Sequence, residues 1–490
     1  MASLDEIRAT RLAKVDLLKR KGLNPYPVAT ERDVTLADAA HDFEKLSKKK
    51  KLCLTGRIMA LRGQGGLVFA DLFDGTGKFQ VLLKKDEIGD ELFSEWSDLT
   101  DIGDFVEVTG TLFLTKRNEK TLQARNWRML AKSLRPLPEK WHGLTDTEER
   151  FRRRYLDTLM NEEVRARFVL RSRIISALRA SLDAEGFLEV ETSMLQPLAG
   201  GASAEPFTTH HNALSINLHL RIAPELDLKK LLIGGYPKIY EIGRSFRNEG
   251  IDVTHNPEFT TIEWYEAYSD ASKQRIFIEK MFRALVKKVT GGTTITFDGT
   301  AIDVKKPFSV VTYAEALQRY ALIPEPEKAT LSELSLKAKQ LGVSVAPHDS
   351  RQKVMDGIFK KEVRPKLLQP TYIISYPMGM IPLAKQEAEK ENTVDAFQFY
   401  VGGLELIKAF SELNDPVEQA RRFNNEDANR KGGDKEAQPN DRDFVEALEY
   451  GMPPAGGVGM GIERLVMLLS DVKNIREVIF FPTLRPKTGE

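Results

Sequence analysis

Phe246-Arg247-Asn248-Glu249, a polar loop from Gly250 to Asn256, and then Pro257-Glu258-Phe259-Thr260 decide how the rest of the chain is read. An arginine carried at the end of one strand, with an aromatic ring at the start of the next, offers a charge for a phosphate and a flat surface for a purine. Alone, such an arginine is more often half of a structural ion pair. The second element is Gly456-Gly457-Val458-Gly459-Met460-Gly461-Ile462-Glu463-Arg464-Leu465-Val466-Met467. Glycines let a strand approach a ligand closely, and a helix beginning at Glu463-Arg464-Leu465 turns its positive end toward a polyphosphate. Without a partner motif this element reads as a turn.

Around these motifs run 490 residues, 41 % of them hydrophobic, which is too many for one core and enough for two or three domains. The 72 basic and 71 acidic residues leave a formal charge of +1. Nucleic-acid affinity therefore has to come from local clustering, and the balance argues against a histone-like binder. Cys53 is the single cysteine; it forms no internal disulfide or thiolate-rich zinc site, so a reducing compartment is expected. The first 22 residues lack the apolar core of a signal peptide, and no run approaches the roughly 20 apolar residues of a membrane span. A cytoplasmic location without a membrane partner is expected.

Leu4, Ile7, Leu12, Val15 and Leu18 recur at roughly helical intervals among basic residues and stop at Gly22 and Pro25. This spacing predicts a helix with a basic face over 4–21, within an N-terminal extension of residues 1–50. Over 51–140 the pattern changes to five β-rich runs broken by Gly-Gly, Asp-Gly-Thr-Gly and Arg-Asn-Glu-Lys turns, which suggests a small barrel of the oligonucleotide-binding (OB) type. A proline-bearing connector, Arg135 to Gly143, and a basic stretch, Glu148 to Tyr155, put a domain boundary near residue 140. In 141–490 a helical pattern over 161–186 alternates with widely spaced strand-like runs, which predicts a mainly antiparallel sheet flanked by helices. The whole is an α+β multidomain chain. A more helical stretch over about 270–367 predicts an insertion subdomain, and the polar run 424–443 a mobile surface loop.

Taken in order, the two opening elements resemble motifs 2 and 3 of class II aminoacyl-tRNA synthetases, and Gly186 to Leu195 with Pro197 resembles motif 1. Residues 200–214, 220–226, 246–268, 410–416 and 447–469 are similar to bacterial-type lysyl-tRNA synthetases, within a resemblance running from about residue 50 to Pro486. It implies an N-terminal OB-fold anticodon domain followed by a class II antiparallel-sheet catalytic domain, and a homodimer formed through motif 1. The implied reaction activates L-lysine with ATP and Mg²⁺ to lysyl-adenylate, releases pyrophosphate and transfers lysine to the 3′ end of tRNA(Lys). No zinc is expected.

The resemblance also implies roles. Arg247 meets the lysine carboxylate and the ATP α-phosphate, and Arg464, the second catalytic arginine, covers the adenine and nears the γ-phosphate. Glu249 and Asn256 meet the adenine end, Phe259 stacks on the ring and His255 touches the terminal phosphates. Glu405, Gln398 and Glu412 form the implied Mg²⁺ set. Gly201 and Glu225 meet the α-amino group, Glu263, Tyr265 and Glu412 surround the ε-amino group, and Phe410 lies beside the aliphatic stem. Inward carboxylates make physical sense when a cation arrives to face them. No side-chain base is needed, because the attacking carboxylate is already ionised; positioning and electrostatics suffice. In the barrel, Arg62, Phe69, Gln80 and Glu119 are the implied anticodon readers, with one base stacked on the aromatic ring. The helix 4–21 and the run Arg152-Arg153-Arg154 are candidate guides for the tRNA backbone, a solvated basic face being the alternative.

Two residues depart from the family pattern: Gln398 stands where a second glutamate is usual, and Lys408 where an asparagine lines the amino-acid pocket. The first half of Pro377 to Lys385 also differs. Competing readings are an aspartyl- or asparaginyl-type synthetase, whose pocket needs to be cationic or neutral where Glu263 and Glu412 are acidic, a truncated relative without the barrel, and a non-catalytic RNA-binding paralogue.

Overall fold

The computed structural model describes residues 3–138, 144, 146–347, 349–390, 392–431 and 438–487, in two compact units, Met1–Leu144 and Thr145–Glu490. In the first unit five strands, β1 (Leu52–Gln64), β2 (Leu67–Phe73), β3 (Lys78–Lys84), β4 (Phe105–Leu114) and β5 (Lys120–Ala131), pair in the order β1-β2-β3-β5-β4. Strand β4 pairs back onto β1, which closes the barrel. Period-two alternation sends Val68, Ala70 and Leu72 of β2 and Phe79, Val81 and Leu83 of β3 to its core. At Gly110, where the β4–β5 register shifts, a Cβ would lie 1.9 Å from the Gln123 carbonyl oxygen.

A helix over Leu4–Arg20 begins with a Ser3/Glu6 capping box and buries Val15 and Leu18. Its expected basic face is partly consumed at home. Arg11 is buried and donates to the carbonyls of Ile102, Ser133 and Arg135, and Lys14 pairs with Asp101. Arg8, Lys19 and Arg20 remain exposed.

The second unit contains β6 (Leu188–Glu189), β7 (Leu195–Gln196), β8 (Thr208–His211), β9 (Ile216–Leu220), β10 (Lys238–Phe246), β11 (Glu258–Ala267), β12 (Thr294–Phe297), β13 (Thr300–Asp303), β14 (Ser309–Thr312), β15 (Thr371–Pro377), β16 (Thr393–Val401), β17 (Leu404–Ser411) and β18 (Ala455–Gly461). Eight of them form one sheet in the order β14-β15-β16-β17-β18-β11-β10-β6, antiparallel except at its two edges. One face, including Ile262, Trp264, Ile407, Ala409, Val458 and Met460, packs on the helices Glu162–Ala184, Ala271–Thr290 and Ile462–Leu469. No helix among the described residues is long and apolar enough to cross a membrane.

Several sequence expectations change here. The stretch 270–367 is not a wholly helical insertion: Ala271–Thr290 buries Ile278, Met281, Phe282 and Leu285 in the main core, β12 and β13 form a hairpin, and β14 is the edge strand of the main sheet. The apolar i, i+3, i+4, i+7 stripe of that helix demands a core partner, which the sheet supplies. Of the expected loop 424–443, residues to Lys431 extend the helix Pro416–Lys431, Gln438 is buried, and Asp441 caps the helix Arg442–Glu449; 432–437 lie outside the described residues, as do 139–143 of the connector. Within Arg152-Arg153-Arg154 only Arg153 is exposed. Arg154 is fully buried, paired with Asp157 at 2.6 Å and donating to the Arg476 carbonyl, while Arg152 and Arg153 pair with Glu148 and Glu149.

Arg221 fastens the segment after motif 1 to the sheet. Its guanidinium pairs with Glu241 at 2.5 Å, donates to Thr192 and to the Arg244 carbonyl, and lies over Gly243, where a Cβ would come within 2.0 Å of it. Arg221→Met should destabilise this unit by about 3–5 kcal/mol, because Glu241 is left buried without its cation; Arg62→Ala, at an exposed pair, should cost about 1 kcal/mol or less. Equilibrium denaturation of the two variants checks the contrast.

Candidate active site

The opposite face of the same sheet floors a cavity of about 530 Å³. Its lining follows the strand period: Phe259, Thr261, Glu263 and Tyr265 from β11, Gly457, Gly459 and Gly461 from β18, Lys408 and Phe410 from β17, Gln398 from β16 and Tyr376 from β15. A bulge between Phe399 and Tyr400 brings Glu405 to the same side. The helix Arg351–Ile358, from the stretch read as an insertion, adds Gln352, Lys353 and Asp356 to the wall.

The three β18 glycines differ in purpose. A Cβ on Gly457 would fall 1.9 Å from the Glu412 carboxylate and 2.5 Å from the Tyr265 ring, so the protein's own packing requires glycine there. At Gly459 the nearest atom would be 3.8 Å away on Glu263, and at Gly461 nothing lies within 4 Å. Those two positions leave open floor for a ligand.

One end of the cavity is acidic. Gly201, at φ +86°, and Glu225 line it beside Glu263 and Tyr265, whose hydroxyl donates to the Glu263 carboxylate at 3.1 Å. Burial, with the charge of Glu225, pushes the Glu263 pKa up to about 8. Glu412 is not presented to the cavity as expected. It is buried over Gly457, on the cavity side of the sheet, and closed off against Lys229, a residue the sequence reading missed. The Lys229 ammonium also bonds Glu225 at 2.6 Å and sits 5.4 and 5.9 Å from the ring centres of Phe410 and Phe444. Burial alone would lower the Lys229 pKa; Glu225 and Glu412 outweigh it and raise it. The i, i+4 spacing of Glu225 and Lys229 on the helix Glu225–Ile233 was the available signal.

The other end gathers the expected nucleotide residues. Motif 2 is closed by a bond from the Arg247 backbone N–H to the Pro257 carbonyl, which sets the Arg247 guanidinium 5.1 Å from the Phe259 ring centre. The buried Arg247 Nε has no hydrogen-bond partner among the described residues. Arg464 donates to the Glu405 carbonyl at 3.2 Å and meets His255 Nε2 at 3.1 Å. Arginine only donates, so Nε2 accepts and the proton resides on Nδ1, facing Asp252 at 2.8 Å. Asn256 donates to the Glu258 carbonyl while its buried Oδ1 has no partner among the described residues, and Glu249 is exposed at the rim. Glu463 holds the start of β11 by accepting from the Thr260 N–H and from Arg171.

Glu405, Gln398 and Glu412 are not assembled as a metal site. Gln398 Oε1 already accepts from the Tyr376 and Tyr400 hydroxyls, and Glu412 faces Lys229. Among the described residues no three His, Cys, Asp or Glu side chains are grouped to hold an ion.

On the barrel, Arg62 and Phe69 are direct cross-strand partners, and Gln80 pairs with Asp71, which holds Arg62 at 2.8 Å. Thr121 donates to Gln80 and to the carbonyl of the exposed Glu119. Phe69 is half-buried and stays out of the barrel core, so Arg62, Phe69 and Gln80 share the outward face, with Glu119 at its edge.

A family described as class II tRNA synthetases (D, K and N) matches residues 146–485, and one described as the OB-fold nucleic acid binding domain matches 52–130. Lysine–tRNA ligases of Moorella thermoacetica, Carboxydothermus hydrogenoformans and Chloroflexus aurantiacus are each 45 % identical to the chain, over 483, 489 and 489 residues. These matches cover 99 % of this chain and 98 %, 99 % and 100 % of the respective relatives. With its motif 2 and motif 3 residues on one cavity and an OB-fold domain ahead of them, the chain belongs to the class II tRNA synthetases of the D, K and N type.

Proposed function

We infer that the chain is a lysine–tRNA ligase, which activates L-lysine with ATP to lysyl-adenylate and transfers lysine to tRNA(Lys). The observation that carries the choice of amino acid is a charge count. Glu225, Glu263 and Glu412 supply three carboxylates and Lys229 answers one, leaving room for two positive charges. L-Lysine brings two ammonium groups. An aspartate pocket needs the opposite sign, and an asparagine pocket needs no net charge.

In this reading Gly201 and Glu225 take the α-ammonium, Glu263 and Tyr265 take the ε-ammonium, and Phe410 lies along the stem, while Glu412 acts through Lys229. Arg247, whose Nε lacks a partner, binds the carboxylate and the α-phosphate and holds nucleophile and electrophile in line. Phe259 and Arg464 sandwich the adenine, Asn256 and Glu249 meet its edge, and His255 meets the terminal phosphates. Glu405 would hold the Mg²⁺ that accompanies ATP, through the oxygen ligands a hard cation prefers, and the ion would supply charge neutralisation at the phosphates; Gln398 is engaged with two tyrosines and Glu412 with Lys229. Arg62, Phe69, Gln80 and Glu119 read the anticodon on the barrel. A homodimer through motif 1 accounts for Leu188, Met194, Leu195 and Leu198, apolar side chains exposed along that segment.

Amino-acid-dependent exchange between ATP and labelled pyrophosphate should be selective for lysine and abolished by Arg247→Ala in a folded protein; exchange with aspartate, or none with any amino acid, would overturn the reading. Because the Glu263 pKa is raised to about 8 without ligand, its proton must leave when an ammonium arrives. Lysine affinity should therefore climb with pH from the ordinary carboxylate range up to about 8, with proton release at neutral pH. Calorimetry in buffers of different ionisation enthalpy measures that release, and a pH-independent affinity would refute it. Phe69→Ala should weaken tRNA charging by about 1–3 kcal/mol, the worth of one base stack, while sparing pyrophosphate exchange; equal losses in both assays would remove the barrel from the account.

A further inference from the structure

Lys408 lies on the cavity floor, and its ammonium makes no hydrogen bond or ion pair among the described residues. The other lysines of the wall are engaged: Lys353 with Asp349 and Lys360 with Asp356. The sheet register locates Lys408 in one row of side chains, Gln398–Lys408–Gly459–Glu263. Gln398 directs its carbonyl oxygen to two tyrosines, so it does not answer the lysine. On the other side Gly459 presents no side chain, and beyond it stands Glu263. The backbones of Lys408 and Glu263 are two strand spacings, about 10 Å, apart, and no side chain from Gly459 stands between them.

We propose that Lys408 is an oxyanion-binding residue of this site, whose ammonium works with Arg247 to hold the negatively charged oxygens that meet there, either the carboxylate of the amino acid or the α-phosphate of the nucleotide. The proposal rests on the adenylation reading above. The charged groups around Lys408 are Glu405, Glu225, Arg247 and Asp356, none of them in ion-pair contact with it. Burial lowers its pKa, and an arriving anion reverses that effect by stabilising the charged form. With Glu263 on one side of Gly459 and Lys408 on the other, a dipolar ligand fits in one orientation, ammonium toward Glu263 and oxyanion toward Lys408. A second cation does not then repel the substrate; it selects for a ligand that carries an anionic group.

The test compares Lys408→Met and Lys408→Arg with the unaltered full chain, by calorimetric titration with lysine, lysinol, AMP and adenosine. Lysinol replaces the carboxylate with a hydroxymethyl group, and adenosine lacks the phosphate. Lys408→Met is expected to weaken lysine binding by about tenfold or more and to leave lysinol nearly unchanged, with Lys408→Arg restoring most of the loss. A selective loss of AMP over adenosine would assign the ammonium to the phosphate instead and would equally support an oxyanion role. Losses shared by lysinol and adenosine, or no loss with any ligand, would overturn the proposal. Since Lys408 has no partner to lose, Lys408→Met should unfold at the same or a higher temperature, and a lowered one would mark a structural role instead. Unaltered protein that binds neither lysine nor AMP would instead defeat the adenylation reading.

Discussion

An antiparallel strand has two faces, and successive side chains must take opposite ones; the site depends on that constraint. Along β11 the even positions Ile262 and Trp264 enter the core, while Phe259, Thr261, Glu263 and Tyr265 floor the cavity. Along β18 Val458 and Met460 anchor the strand, and the three glycines between and beside them open the opposite side. A one-residue slip would bury the carboxyl of Glu263 in hydrocarbon and expose a tryptophan, so the apolar face fixes the register of the chemistry.

The parts of this arrangement that were readable in advance are those carried by contiguous residues. Phe246 to Thr260 joins two strand ends through one loop, and Gly456 to Met467 joins a strand to a helix, so the chemistry of each is visible in a short string. The features that escaped were long-range or depended on partners. Lys229 meets Glu412 from a distant part of the chain, and a lysine in a helix ordinarily reads as a surface residue. Glu412 was recognised by its neighbours, yet its pairing with Lys229 closes it off over Gly457 instead of leaving it free in the wall.

The basic residues illustrate the same limit. A run of three arginines looks like an RNA contact, but Arg154 serves as a hub for carbonyls of the C-terminal segment near Arg476, and Arg11 plays a comparable part in the first unit. Charge in a sequence does not reveal whether its partner is solvent, a phosphate or the protein's own backbone. On the barrel a phenylalanine in a β-rich run reads equally as core, and it is the structure's alternation that separates Phe69 from Val68 and Ala70 as an outward residue.

The lysine held inside the second unit has a consequence for ligand recognition. Glu225 and Glu412 are already restrained by Lys229 before anything enters, so their rotamer freedom is surrendered during folding and association need not spend it again. The same contact sets an upper limit on attraction, because a carboxylate shared with a permanent neighbour pulls less strongly on a newcomer. Recognition is thereby tuned toward release as well as capture, which suits a site that must hand its amino acid on.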